Sequence, residues 1–409
     1  MNSPPLTTAD TRADAGERGR AAATRRASEL LRGGGRLLRR RARLAAGVAI
    51  VAAFYFVALF ADFIAPYDHR AQSREEPFAP ASIVRFRDAG GGWHTRPFVY
   101  RRRLTDPLAR EYAEDTSRRH PLALFTRGRR YKLFGLVETD RHLFGVADAS
   151  AEIATPAATG EGRHTQPSRS VVAPPPRVSL LGTDELGRDR FSRLLRSSRF
   201  SLLVGPAGTI LASLLGVVVG CLSGYAGRRT DAVLMRAADA MMALPALVLI
   251  LAARAAFPPQ LPPARAAVLM ITIFVALGWA EMARLARGLV LSLRTREFVA
   301  AAVALGASPA RVLFRHVLPN AARPLVVQAS LMLPSFLLAE TALSYLGVGA
   351  QEPEASWGLM LGRAADLAQL RQHPFLLLSP AAAIFLFVFG VRLTSDGLRG
   401  GDDERRSAL

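Results

Sequence analysis

"EFVAAAVALGASPARVLFRHVLPN", residues 297–320, lies between two long apolar runs, yet it is neither a membrane span nor an ordinary loop. Phe298, Ala301, Ala302 and Leu305 recur at helical spacing, which predicts an amphipathic first half. Gly306 follows, where a helix C-terminus takes the left-handed conformation that costs glycine least. Ser308 is placed to cap a second helix and Pro309 to fill its first position. Val312, Leu313, His316 and Val317 then form an apolar face, Arg311 and Arg315 are left to solvent, and Pro319 ends the helix. The stretch is a helix–turn–helix whose tip carries small side chains, among them Ala300, Ala302, Ala304 and Ala307. One use for it is to rest on lipid as an interfacial amphipathic helix. A face of mainly Ala and Val buries little area, however, and a knob of small residues suits a protein groove better.

The surroundings are membranous. Half of the 409 residues (50%) are hydrophobic and mean hydropathy is +0.18, with the apolar residues gathered into blocks. A net charge of +20 invites a nucleic-acid reading. That class is set aside, because the basic residues crowd the ends of apolar runs, as membrane topology requires. Lys132 is the only lysine and sits in "RRYKLFG", so the chain has no Walker A loop, which needs a lysine to reach the β- and γ-phosphates. Cys221 is the single cysteine, which rules out an intrachain disulfide and reads as a small buried hydrophobe.

Hydropathy predicts six spans, at 44–66, 200–227, 232–257, 266–291, 324–349 and 374–398, since about 20 apolar residues cross a bilayer. Residues 1–43 read as a disordered basic cytoplasmic tail and 399–409 as a second cytoplasmic tail. Residues 67–199 hold no run long enough to span and are expected to form an extracytoplasmic insert of mixed strand and loop, with a Pro- and Ala-rich linker over about 149–177. Residues 200–398 form a five-helix core that contains the loop 297–319. Six spans place both termini on one side, and the arginine-rich segments that flank them mark that side as cytoplasmic. Small residues in "LLGVVVGCLSG", 214–224, predict close helix packing.

Ionisable residues within spans are functional candidates by default. Asp239 and Arg236 are three positions apart and read as a local pair, as do Glu281 and Arg284. Glu340 has no local partner and is the candidate for the pathway or its gate. Pro245 and Pro334 are expected to kink their spans. Thr183 or Asp184 is expected to cap a helix bearing Arg190, Arg193 and Arg196; Asp184, Glu185 and Asp189 lack the spacing of a calcium loop. His94, His120, His142 and His164 are too widely spaced for a metal motif.

The combination Ala301–Ala302, Gly306 and Leu318–Pro319 resembles the EAA loop of ABC-importer permeases, in the oligopeptide/dipeptide/nickel branch and its second-permease, C-type members. Ala300 stands where the loop's namesake glutamate would be. "LLGTDELGRDRFSRLLRSSRFSLLVG" (180–205), "MRAADAMMALPALVL" (235–249), "GWAEMARLARG" (278–288), "LAETALSYLGVG" (338–349) and "ASWGLML" (355–361) extend the likeness over about 44–66 and 180–398. The resemblance implies an all-α polytopic membrane protein of the type I importer permease fold, in a bacterial inner membrane. It implies that Glu297, Ala301, Ala302, Gly306, Ala307, Ser308, Arg311, Leu318 and Pro319 couple the chain to an ATPase. It implies no catalysis and no cofactor in this chain, with ATP and Mg held by the ATPase. The expected partners are a second permease in a heterodimer, cytoplasmic ABC ATPase subunits, an extracytoplasmic solute-binding protein and membrane lipid, with no nucleic acid. The alternative is an ion-coupled secondary transporter, which calls for inverted repeats and discontinuous helices.

Overall fold

A computed structural model describes residues 41–107, 110–133, 136–147, 176–225, 227–258, 261–346, 349–352, 354–364 and 373–399. Most of the N-terminal tail, the linker with His164, and the C-terminal tail beyond residue 399 lie outside the described residues. Among the described residues five helices are long and apolar enough to cross a membrane. They are α1 (Arg41–Leu59), α3 (Arg190–Tyr225), α6 (Pro263–Leu293), the continuous rod Pro309–Tyr345, and α11 (Phe375–Arg399). A short turn of helix, α2 (Ala61–Ile64), follows α1.

The span predicted at 232–257 is not one straight helix. It is α4 (Arg228–Ala243) and α5 (Ala246–Ala255), a pair bent by 89°. Pro245 causes the break: a proline pushes the residue before it out of the helical region, and Leu244 has ψ 139°. The boundary before α3 also moves. Residues 190–199, assigned by hydropathy to the insert, are the first turns of that helix. Its cap is neither Thr183 nor Asp184 but Asp189, whose Oδ2 accepts from the Ser192 N–H at 2.8 Å. Asp184 instead folds the preceding loop, accepting from the N–H groups of Leu186 and Arg188 at 3.0 and 2.9 Å. Thr183 accepts from Ala79 N–H at 2.8 Å and fastens that loop to the chain leaving α2.

The core is built on α3. Gly216, Gly220 and Gly224 repeat every fourth residue and turn one bare stripe to α6. A Cβ added at Gly216 would fall 2.6 Å from both the Met282 Cβ and the Trp279 carbonyl oxygen, and one at Gly224 would fall 2.6 Å from Val290. Only glycine lets these backbones touch. On its other side α3 meets the rod through Leu202 and Leu337, where Trp357 of α10 (Trp357–Arg363) and Phe387 of α11 close the cluster. Phe54 of α1 packs edge-on to both rings, at centroid distances of 5.8 and 5.6 Å.

The insert is an antiparallel meander, β1 (Arg85–Arg87), β2 (Trp93–Asp106), β3 (Glu111–Leu133) and β4 (Val137–Val146), paired in that order. The long β3 serves two hairpins end to end: its first half pairs with β2 and its second with β4. Val99, Val146 and Val178 form its small core. It is fastened to the membrane core by polar contacts. His142 sets Nδ1 2.7 Å from the Ala65 carbonyl oxygen, and the Tyr67 hydroxyl accepts from Val178 N–H at 2.8 Å.

An ion lattice joins the loop before α3 to the loop after the rod. Arg188 and Arg193, with 5% and 3% of their side chains exposed, both reach Glu352, at 2.8 and 3.0 Å, and both also face Asp184. Burial opposes the Glu352 charge, but Arg193 and Arg188 outweigh it and hold its carboxyl below the ordinary value of 4.5. The carboxylates of Asp184, Glu185 and Asp189 have other uses: the first two pair with arginines and Asp189 caps a helix.

Two outcomes follow from this packing. Gly220→Val should force α3 away from α6 and cost about 1–3 kcal/mol, read as a lowered melting temperature in detergent, whereas Gly227→Val, at an open position, should not. Glu352→Gln should cost about 2 kcal/mol at neutral pH, less than the ~3–5 kcal/mol of a fully enclosed pair because Glu352 keeps 26% of its side chain exposed. A depressed carboxyl stabilises above its unfolded pKa, and that contribution is lost as pH falls through the folded one. The gap between native chain and variant should thus close below about pH 4.5, and a gap unchanged down to acid would contradict the lattice.

Candidate functional site

The hairpin that opens the sequence reading is formed by α7 (Glu297–Ala304) and α8 (Pro309–Val312). Gly306 takes φ +80° at the turn. The Gly306 N–H donates to the Val303 carbonyl at 2.9 Å and the Ala307 N–H to the Ala302 carbonyl at 3.1 Å. These two bonds are the Schellman closure, which satisfies carbonyls that the helix end would otherwise leave open. The Ser308 hydroxyl accepts from Arg311 N–H at 3.4 Å, and Pro309 opens α8.

The second arm does not stop at Pro319. A π turn over Leu313–Val317 joins α8 to α9 (Leu318–Tyr345), and the whole runs unbroken from Pro309 to Tyr345. Proline within a helix clashes with the carbonyl four residues before it and removes a donor. The wider π turn, in which Leu318 N–H reaches back to the Leu313 carbonyl, makes room just ahead of Pro319. One arm of the hairpin is therefore the end of a membrane rod of 37 residues, roughly 55 Å long at the α-helical rise.

The hairpin's inner face is Val299, Ala302, Val312 and Val317, all buried. The valines pack with Cys221 of α3 and Val290 of α6. The candidate coupling residues divide accordingly. Ala302, Ala307 and Leu318 turn inward, whereas Glu297, Ala301, Gly306, Ser308, Arg311 and Pro319 are exposed. The apolar face expected from Phe298, Ala301, Ala302 and Leu305 is buried only at Ala302. Leu305 is 89% exposed, and Phe298, Val303 and Phe314 stand out with it. The outward surface is thus a crown of large apolar side chains, not only of small ones. Apart from Glu297, α7 is apolar all round, so its own pattern could not orient it; only the contact with α3 and α6 does.

Glu340 lies near the far end of the same rod and is fully buried. It accepts from Ser201 of α3 at 3.1 Å and from Ser344 at 2.8 Å, while Ser201 in turn accepts from the Trp357 N–H at 3.3 Å. It ties α9 to α3 and α10. The local pairs expected at the other intramembrane acids do not form. Asp239 reaches Arg284 at 3.4 Å, bridging α4 and α6, and Glu281 accepts from Gln328 at 2.7 Å, bridging α6 and α9. Asp231 binds Arg287 through both oxygens, at 2.5 and 2.6 Å. Long side chains of neighbouring helices reach these acids, which spacing along one helix does not reveal.

His94 pairs with Asp88 at 2.8 Å, and among the described residues no group of three or more His, Cys, Asp or Glu is placed to hold a metal ion.

Comparison with known proteins supplies the frame for this geometry. Residues 216–399 match the family described as binding-protein-dependent transport system inner membrane component. The chain is 39% identical over 236 residues to the oligopeptide transport system permease protein OppC of Bacillus subtilis, covering 57% of this chain and 73% of that one. It is 41% identical over 228 residues to the probable D,D-dipeptide transport system permease protein DdpC of Escherichia coli, covering 55% and 73%. A solved chain of the MetNI methionine ABC transporter, inward facing, overlays with a TM-score of 0.37 at 16% identity, over 53% of this chain and 96% of that one. By its relatives and its bundle of apolar helices, the chain belongs to the binding-protein-dependent transport system inner membrane component family and is a multi-pass permease subunit of an ABC importer.

Proposed function

We propose that this subunit forms half of a translocation path for peptides or a related small solute and takes its drive from a separate ATPase that grips the hairpin 297–319. The observation that carries the proposal is mechanical. The hairpin's second arm, which carries Phe314 of the crown, and the polar anchor at Glu340 belong to one continuous helix, so a push on that arm reaches the packed end of the bundle. A rigid element shared by two sites is what a switching transition needs. The crown is apolar and rises from a base packed on α3 and α6, the character of an anchor that inserts into a protein groove.

In this reading Arg311 and Glu297 flank the crown and orient it by charge, Gly306 keeps the turn tight, and Glu340 braces the gate side of the path. ATP and Mg are held by the ATPase, for this chain lacks the lysine of a P-loop. A second permease completes the path as a heterodimer, and a solute-binding protein delivers cargo on the side of the insert. Both termini are cytoplasmic, in a bacterial inner membrane. The peptide class is supported by the likeness to oligopeptide and D,D-dipeptide permeases.

Leu305→Asp should lower capture of the ATPase about tenfold or more, as expected for loss of a central apolar anchor, and reduce ATP-driven uptake with it. Since Leu305 is 89% exposed, the melting temperature of the chain should stay unchanged. Uptake that ignores this substitution and follows an ion gradient would favour the secondary-transporter alternative. Alkaline-phosphatase fusions test the topology: one after residue 120 should be active and one after residue 308 inactive, and the reverse would turn the chain over.

A further inference from the structure

A cavity of about 430 Å³ opens where the insert meets the membrane core, between the chain after α1, the β3–β4 hairpin and the first turns of α3. Its lining includes Arg70, Arg129, Arg130, Lys132, Arg196 and Arg199, against two carboxylates, Asp62 and Asp68. Asp62 is shared by Arg196 and Arg199, at 3.3 and 2.6 Å, and Asp68 is taken by Arg129. Arg70 turns to Glu354. Arg130 has no ion pair among the described residues, and Lys132 faces Glu138 at 3.6 Å with both side chains largely exposed, a pairing of little strength. His69 adds no charge near neutrality, because burial pushes it down to about 4. The cavity therefore keeps an excess of positive potential, concentrated by its walls.

Its position selects the occupant. The first span ends at Leu59, just before Asp62, and the apolar run of α3 starts at Phe200, just after Arg199. Arg199 donates to the carbonyls of Ala58 and Leu59 at 2.7 and 3.0 Å, so the cavity floor rests on the last turn of α1. Beside the mouth, Leu124 is 70% exposed and Phe125 is exposed with it, its ring 6.2 Å from that of Phe63. Phe56 and Leu59, on the lipid-facing end of α1, are exposed as well. A basic pocket level with the membrane boundary thus opens beside an apolar ledge continuous with a span.

We propose that this cavity binds the headgroup of an anionic phospholipid. Arg130 and Lys132 hold the phosphodiester, beside the Arg196 that Asp62 holds in place, and the acyl chains lie along Leu124, Phe125, Phe56 and Leu59. Basic pockets at the ends of spans recognise lipid phosphate in this way. An acidic protein surface would satisfy the arginines but would leave the ledge unused. The bound lipid would fasten the insert to the bilayer through a contact that the permease path does not itself require.

The test uses the full transporter complex, purified in mild detergent, stripped of lipid and titrated separately with phosphatidylglycerol, phosphatidylcholine or inorganic phosphate, with binding read by native mass spectrometry. Phosphatidylglycerol should bind in preference to phosphatidylcholine. Arg130→Gln and Lys132→Gln should each weaken it about fivefold, as expected for one cation at a membrane surface, and Arg103→Gln, away from the cavity, should not. Leu124→Asn should weaken phosphatidylglycerol binding through the tails. Equal binding of the two lipids, or variants that bind as the native chain does, would overturn the proposal. Inorganic phosphate that displaces the lipid, with Leu124→Asn inert, would make the cavity a free-anion site and overturn it too. Variants that lose an extracytoplasmic protein partner but no lipid would assign the cavity to that partner instead.

Discussion

The backbone contact between α3 and α6 sets the geometry on which the rest depends. Three glycines at every fourth position of α3 let the two helices approach until a single methyl would clash with Met282 or Val290. In a bilayer no hydrophobic force drives helices together, so dispersion over a close and extensive contact must do so. Once α3 is held at that distance, its opposite face is available to the rod α9 and to α10, and the Leu202, Leu337, Trp357 and Phe387 cluster forms there. The ends of α3 and α6 nearest the hairpin also come to the right spacing to receive Val299, Val312 and Val317. The hairpin sits where it does because two glycine-bearing turns away the helices beneath it cannot separate.

The rod then relates two chemically different ends. At the hairpin end its contacts are apolar and non-directional, which allows an arm to tilt while staying packed. At the other end Glu340 is held by two serines in a buried network, which is directional and expensive to disturb when partly broken. A lever with a tolerant end and a fixed end moves about the fixed one. The π turn ahead of Pro319 lies beside the tolerant end, where a local change in winding alters the tip's direction without a break in the helix. Pro324 and Pro334, further along, place weak points between the ends.

Much of this was legible in the residues. Apolar length located the spans, because in lipid the backbone must satisfy itself within a helix and only long apolar runs permit that. The turn at Gly306 was legible since its chemistry is local: a glycine, a serine and a proline in order specify a Schellman end and a capped start. What stayed hidden depended on distant chain. The outward face of α7 could not be chosen from a helix that is apolar on every side. Asp239 was assigned to Arg236 on its own helix, while Arg284 of α6 was the residue within reach. Thr183 and Asp184 looked like caps, but Asp189 lies directly before the first turn and the other two were drawn into a loop closed on Ala79 and Arg188. Pro319 was expected to end a helix, and a π turn five residues long absorbed it. Pro245 predicts a kink, and the bend there reaches 89°, more than a kink within one straight span.

The bent pair is also held by ion pairs. Asp231 and Asp239 bind Arg287 and Arg284 of α6, which ties α4 along the basic end of the bundle. The 16 residues of α4 reach only about 24 Å and the 10 of α5 about 15 Å, so neither alone crosses a hydrocarbon core of about 30 Å. The pair is either a broken span or a re-entrant turn, and in both the break at Leu244 and Pro245 frees backbone groups that lipid cannot satisfy. Such breaks persist at membrane depth where protein or a watery path covers them. Ile250 packs α5 against α6 in a cluster that also takes in Val204 of α3 and Leu343 of α9, while Leu244, Leu247 and Val248 remain exposed beside the break. A break flanked by exposed apolar side chains therefore needs further cover on that side, to satisfy the backbone groups it frees.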